Sequence, residues 1–388
     1  MRACFDDKPG AKNRIKGLSI LLWLGGLACC ATLGAAGLHA GEAKPSAAVE
    51  WERTVEAAKK EGKVVVSIPV SAELRRGVEK AFKQRFGIEP DLNVGRAASV
   101  IARIQQEAKA GAPYFDLHMG GSESMIAGLL SEGLLAPLEP AMILPEVTDP
   151  NNWWGGHIWV DNAKRHIYAS HAYQVELIWR NTDLVKPDEV RSLNDLLNPK
   201  WAGRIGYLDP RTPGAGASMW SFLWKLKGED YLKKLAGQKL VLGRDQRVLA
   251  ESLARGKVAL VVALSYYSIL PFAKAGLPVK SVPIPRDESY VSGGSGNVAI
   301  IKGAPHPNAA KVFLNWFLGR EGQEIYSRAM GQGTRRLDVD TQWLKEFGVV
   351  AAKDSLTPDQ YPNLENQSEE KILKFRGPAA EVARKLLD

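Results

Sequence analysis

The sequence predicts an α/β protein of two units, each a mostly parallel sheet flanked by helices. Short β-branched runs alternate with segments whose apolar residues recur at helical spacing. That alternation breaks over residues 137–156 and restarts after Asn198-Pro199-Lys200-Trp201. A further strand-like run then returns at Asn297, followed by mostly helical sequence.

In order along the chain, Trp51, Val55 and Ala58 share a helix face that Gly62 ends. Residues 64–68 form a β-branched run suited to a buried parallel strand. Ser71 is placed to cap the next helix, with Glu73 in its first turn and Leu74, Val78, Phe82 and Phe86 spaced every four residues before Gly87. Residues 88–94 read as strand, 100–108 as a helix closed by Gly111, 115–119 as strand and 122–130 as helix, a series that gives a parallel sheet covered on both faces. Residues 137–156 turn to proline, asparagine and tryptophan without a period, and 167–180 read as one long strand. The second unit supplies strands at 205–208, 258–264 and 279–284 and helices at 217–226, 246–254 and 267–275. Beyond it come a strand at 297–301 and helices at 309–318 and 379–387, with no internal repeat.

The 388 residues are 45% hydrophobic and 24% charged, with 51 basic against 43 acidic side chains, which excludes a disordered chain and a small disulfide scaffold. All three cysteines (Cys4, Cys29, Cys30) lie in the first 30 residues. There, Arg2, Lys8, Lys12, Arg14 and Lys16 precede an apolar run over 18–38 and small residues around Ala40 and Ala43, the order of a secretory signal over residues 1–40. The run is near membrane-spanning length, so an uncleaved anchor competes, as does a lipid on Cys29 or Cys30 after the partial lipobox Gly26-Leu27-Ala28-Cys29. Cleavage removes five basic and two acidic groups and leaves 46 against 41, a net +5 over 348 residues without a thiol. Such a chain has no disulfide or thiolate chemistry, and its dispersed charge does not suit nucleic acid. The sequence thus marks the mature protein as exported.

Ligands of open α/β sheets sit beyond the carboxyl ends of the strands, against helix N-termini. Three turns fit an anion there: Ser71, Gly120-Gly121-Ser122, and Gly214-Ala215-Gly216-Ala217-Ser218. Each also reads as a plain turn or cap. Tyr266-Tyr267 ends an apolar strand on the same edge, where two phenols can bind a hard metal, stack on an organic solute, or divide between core and surface. Trp153, Trp154 and Trp159 form either a stacking wall or the pins of a long loop. Phosphate-loop, dinucleotide, zinc-protease and nucleophile-elbow motifs are missing, and the histidines lack metal spacing. The competing class is a secreted hydrolase in which Ser122 or Ser218 works with a distant histidine.

WERTVEAAKKEGKVVVSI from Trp51, Asn181-Thr182-Asp183-Leu184, Asp195-Leu196-Leu197-Asn198-Pro199-Lys200-Trp201 with Gly203-Arg204-Ile205, and APHPNAAKVFLNWFLGREGQ from Ala304 together resemble the periplasmic solute-binding proteins of ABC importers, in the branch of ferric-iron, thiamine and phosphonate binders. The resemblance implies a type II two-lobed fold closing on a solute, with residues 45–172 plus 285–388 as lobe one and 173–284 as lobe two. It also implies no catalysis, a monomer, and delivery to a permease and its ATPase. Tyr266 and Tyr267 match the adjacent iron-binding tyrosines of the ferric members, and the turn at Gly214 matches their anion loop. The first-lobe iron ligands do not match, because Pro69-Val70-Ser71-Ala72 stands where those proteins often place His or Tyr, and Gly121 where some place Glu. The expected ligand is therefore a small organic anion, a carboxylate or phosphonate, held by Ser71, Gly120, Gly121, Ser122, Gly214, Ala215, Gly216 and Ser218 and covered by Tyr266 and Tyr267. Ferric iron on the two tyrosines is the alternative cargo, and no cofactor is expected.

Overall fold

The computed structural model describes residues 46–174 and 178–388, so the leader and its cysteines lie outside the described residues. Chain order in the first half is α1 (Ala47–Glu61), β1 (Lys63–Ile68), α2 (Ala72–Phe86), β2 (Glu89–Val94), α3 (Ala97–Lys109), β3 (Leu117–Gly120) and α4 (Ser122–Met125), which runs on as a π turn over Ile126–Leu130. Then follow β4 (Leu135–Ala136), the short α5 (Pro145–Thr148), β5 (Tyr168–Ala169), β6 (Tyr173–Gln174) and β7 (Ile178–Asn181). The second half holds β8 (Ile205–Leu208), α6 (Ala215–Gly237), β9 (Val241–Gly243), α7 (Gln246–Ala254), β10 (Leu260–Val262), α8 (Tyr266–Lys274), β11 (Val279–Ser281), β12 (Val291–Ser292) and β13 (Asn297–Ile301). Last come α9 (Pro307–Leu318), α10 (Arg320–Met330), β14 (Val350–Ala351), α11 (Tyr361–Leu364) and α12 (Glu369–Leu387).

Two sheets result. The first has the order β2-β1-β3-β13-β4, with β5 also on β13; β2, β1 and β3 are parallel and β13 runs against β3. The second has the order β11-β7-β10-β8-β9, parallel through β10, β8 and β9. Alternation along β1 buries both faces of the first sheet. Val64, Val66 and Ile68 meet the α2 stripe of Leu74, Val78 and Phe82 and the Phe313 and Phe317 rings of α9, while Val65 points into a separate cluster with Ile101, Ile104 and Phe115. Tyr207, Trp220, Leu232 and Val261 centre the core of the second sheet.

A small third sheet, β12-β6-β14, lies where the chain changes sheets. The chain leaves the first sheet at β5 and reaches the second at β7 by way of β6, and it returns from β11 to β13 by way of β12. The single strand read over residues 167–180 therefore resolves into β5, β6 and β7, each in a different sheet. Apolar continuity in sequence does not reveal that the pairing partner changes twice. The C-terminal helix also departs from its sequence assignment to the first lobe: Ile372 packs with the first sheet, whereas Ala379, Val382 and Ala383 join the core of the second. His306, at the N-cap of α9, places its N–H and Nδ1 at 2.7 and 2.9 Å from the buried Asp116 carboxylate. Among the described residues no helix is long and apolar enough to cross a membrane.

Candidate ligand-binding cleft

Four helices begin at one cavity of about 360 Å³ between the two sheets. They are α3 (through Ala97 and Ala98), α4 (Ser122, Glu123, Ser124), α6 (Gly214, Ala215, Ser218) and α8 (Ser265, Tyr266, Tyr267). Each follows the carboxyl end of a strand: β2, β3, β8 and β10 in turn. None of the four carries a side-chain cap hydrogen bond at its N-cap residue (Arg96, Gly121, Gly214, Ser265). By contrast, α1, α2, α7 and α12 are closed by Ser46, Ser71, Asp245 and Ser368, and the first N–H groups of α9 donate to Glu61. The cleft-facing ends thus keep their positive half-charge, while Gln246 and Glu123 accept the N-cap N–H groups of α8 and α6.

The structure brings together Gly121, Ser122, Gly214, Ala215, Ser218, Tyr266 and Tyr267 on the cavity wall. Ser71, Gly120 and Gly216 are not part of that wall. The Ser71 hydroxyl accepts the Leu74 N–H at 3.2 Å. Gly216 seats α6 against β8, since a β-carbon there would lie 2.1 Å from the Leu208 carbonyl oxygen, and Gly120 faces the His118 ring, with Nε2 2.7 Å from such a carbon. The tryptophan cluster pins the loop: Trp153 packs edge-on against Tyr168 beneath Arg335 and Arg336, Trp159 meets the same tyrosine, and Trp154 meets Tyr361. The tryptophan that reaches the cavity is Trp179, stacked 6.2 Å from Tyr266, and Tyr173 and Tyr290 join the wall beside it.

The two tyrosines differ in their surroundings. Tyr266 is 7% exposed, its ring lies on Trp179 and Phe347, and its hydroxyl has no hydrogen-bond partner among the described residues. Tyr267 is half-buried, packs against the core of the first sheet, and accepts a hydrogen bond from Gln246 Nε2 at 3.1 Å. Burial pushes both phenols up from their ordinary value.

Among the described residues no lysine, arginine or histidine lines the cavity, and Glu123 is the one charged wall residue. The Gly214 N–H donates to the Glu123 carboxylate, and Arg376 of α12 lies behind it, Nε to Oε2 3.3 Å, close but not aligned as a hydrogen bond. Burial pushes the Glu123 carboxyl up against the pull of Arg376. Arg376 also holds the Ser218 hydroxyl at 2.9 Å and the Asn366 carbonyl at 3.3 Å. Two further pairs cross the mouth, Arg96 with Asp245 at 2.5 Å and Glu73 with Lys274 at 3.8 Å. Among the described residues no three of His, Cys, Asp or Glu gather into a metal-binding group.

Sequence reasoning missed Trp179, Gln246, Gln332 and Asn366 as wall residues. Only Gln246 carried a usable signal, since it follows the α7 cap Asp245 at a strand's carboxyl end. The others reach the cavity from elements distant in sequence.

Two α/β lobes joined by short crossing strands, with a cleft lined by helix N-termini, define a type II periplasmic binding protein. Residues 63–329 match the model of the bacterial extracellular solute-binding protein family, and the chain belongs to that family. The chain is 26% identical over 259 residues to the major ferric iron-binding protein of Neisseria gonorrhoeae, covering 65% of this chain and 74% of that one. Two solved structures share the fold: the periplasmic binding protein AfuA of Actinobacillus pleuropneumoniae with fructose-6-phosphate bound (TM-score 0.63, 20% identity) and iron-bound HitA of Pseudomonas aeruginosa (TM-score 0.62, 21% identity). Each comparison covers 84% of this chain and 99% of the other. The family and these neighbours are binding proteins, and the family is extracytoplasmic.

Proposed function

We propose that the protein captures a small organic anion, a carboxylate or phosphonate, between its lobes outside the cytoplasm and delivers it to the permease of an ABC importer. The observation that carries this reading is the convergence of four helix N-termini, none closed by its own N-cap side chain, on a cavity that among the described residues has no cationic wall residue. Each end is worth about 0.3–1 kcal/mol to an anion, and up to about 2 when partly buried. Four together give about 1–4 kcal/mol, so burial of the organic body must supply most of the rest of the roughly 8 kcal/mol of a micromolar affinity. The wall of Ala98, Ile101, Ala127, Met219 and Trp179 suits an organic body behind the charged group. A hydrolase fits less well, because among the described residues no histidine lines the cavity and the Ser218 hydroxyl is held by Arg376.

Ferric iron is the second reading, favoured by Tyr266 and Tyr267 on one wall and by the iron-binding relative. High affinity for this ion calls for several oxygen donors, and the nearby Glu123 carboxylate already receives the Gly214 N–H and lies 3.3 Å from the Arg376 guanidinium. Native mass spectrometry and visible absorbance of protein purified without refolding separate the two. An organic mass with a colourless protein supports the anion. A tyrosinate-to-iron absorption band that is lost in Tyr266→Phe replaces it with iron, and an unchanged melt across carboxylate and phosphonate panels removes its support.

A further inference from the structure

Gln246 sits at the start of α7 with its side-chain amide between the N-cap of α8 and the Tyr267 hydroxyl. Its Oε1 is 2.8 Å from the Ser265 backbone nitrogen and 3.3 Å from the Ser268 hydroxyl, and its Nε2 is 3.1 Å from the Tyr267 oxygen. A backbone N–H can only donate, so the atom facing Ser265 is the amide oxygen and the atom facing Tyr267 is the NH₂ group. That group only donates as well. The Tyr267 oxygen is therefore committed as an acceptor on its protein side.

We propose that Gln246 is a positioning residue that sets the hydrogen-bond polarity of Tyr267, directing the phenol proton toward an acceptor oxygen of the solute. The proposal rests on the anion reading for the identity of that acceptor. The hydroxyls of Ser265 and Ser268 also neighbour the Tyr267 oxygen. An ionised carboxylate or phosphonate oxygen is a stronger acceptor than a serine hydroxyl and takes the proton when it enters the cavity. A solute presenting an ammonium or amidinium at this point meets a proton instead of a lone pair and is rejected. Gln246 thus couples two tasks: its oxygen replaces the missing cap of α8, and its nitrogen orients the phenol that covers the ligand.

Gln246→Glu separates these tasks. At about pH 8, above the carboxylate range, Glu accepts from Ser265 N–H and the Ser268 hydroxyl as the amide oxygen does, and its second oxygen accepts the Tyr267 proton. The local hydrogen bonds survive while the polarity of Tyr267 reverses. The expected result is a retained fold, a displaced ¹³Cζ resonance of Tyr267 (assigned with Tyr267→Phe), and affinity lowered about tenfold or more for the best bound of inorganic phosphate, methylphosphonate and citrate. An unmoved Tyr267 resonance, or undiminished affinity, overturns the proposal. If the parent protein binds none of the three probes, the anion reading fails while the resonance still decides the role of Gln246. A second measurement does not need the Glu variant to fold: the Gln246 side-chain NH₂ signals of the otherwise native protein shift in Tyr267→Phe, and their constancy overturns the assignment.

Discussion

The ring of Tyr266 lies against the backbone of Gly331 so closely that a β-carbon on the glycine would stand 1.8 Å from Tyr266 Cδ1. Tyr266 begins α8 beside the second sheet and Gly331 ends α10 beside the first, so this contact closes one side of the cleft. Gly331 is also left-handed, with φ 60°. Gly331→Ala should therefore cost about 1–3 kcal/mol in backbone strain and push Tyr266 off its seat. Chemical denaturation should show the lost stability and solute titration a weaker complex; native values in both would mean that the tyrosine does not depend on this seat.

Tyr266→Phe should behave in the opposite way in the ligand-free protein. Its hydroxyl is buried without a partner among the described residues, an arrangement that costs about 1–3 kcal/mol, so removing it leaves stability unchanged or raises it. A solute that bonds this hydroxyl should then bind less tightly to a protein that melts no lower. Melting curves with and without solute test both halves, and a large stability loss in the ligand-free variant contradicts the account.

Arg376 holds the Ser218 hydroxyl, the Asn366 carbonyl and the Glu123 carboxylate while only 8% exposed. Arg376→Met leaves a buried carboxylate without its counter-charge, a loss of about 3–5 kcal/mol near neutrality. The Glu123 carboxyl, already raised by burial, rises further in this variant. A carboxyl raised in the folded state binds its proton more tightly there than in the unfolded chain, so its stabilising effect is full below about 4.5 and is lost as pH rises through the folded value. The deficit of Arg376→Met relative to the parent should accordingly grow from pH 4.5 toward pH 8 and shrink on adding Glu123→Gln. A deficit independent of pH would place the role of Arg376 in Ser218 and Asn366 alone.

His118 and His171 are both buried, and burial lowers their pKa from 6.5 to about 4 and about 3 respectively. Each stays neutral in the folded protein while the unfolded chain takes up a proton near 6.5. The stability they protect is present above that value and is lost as pH falls toward the folded values. At pH 5 the loss is about 2 kcal/mol for each. Denaturant midpoints between pH 7 and pH 4.5 should fall steeply in the parent and less so in His118→Asn, while an equal slope in both would remove His118 from the acid response.

Much of the fold is legible in the sequence because it is written in local terms. The four-residue spacing of Leu74, Val78, Phe82 and Phe86 dictates the buried face of α2, and all four are buried. The β-branched run of β1 is buried on both faces for the reason that a parallel strand must be. The small residues at Gly121 and Gly214 likewise marked where helices open on the cleft. The path from β5 to β7 was not legible, since three short strands in three sheets carry the same apolar signature as one long strand.

The sequence by itself determined the alternating elements, the restart that makes two α/β units, and the strand-to-helix turns that supply donors. Only the tertiary structure decided which of those donors meet. It set Ser71 to capping its own helix and Gly216 to packing on Leu208, and it placed Gln246 against Tyr267, Gly331 beneath Tyr266, and Arg376 of the last helix behind Glu123. Helix and strand periodicity follows from neighbours a few residues apart, whereas a cleft wall is assembled from residues such as Glu123 and Arg376 that long-range burial alone brings into contact.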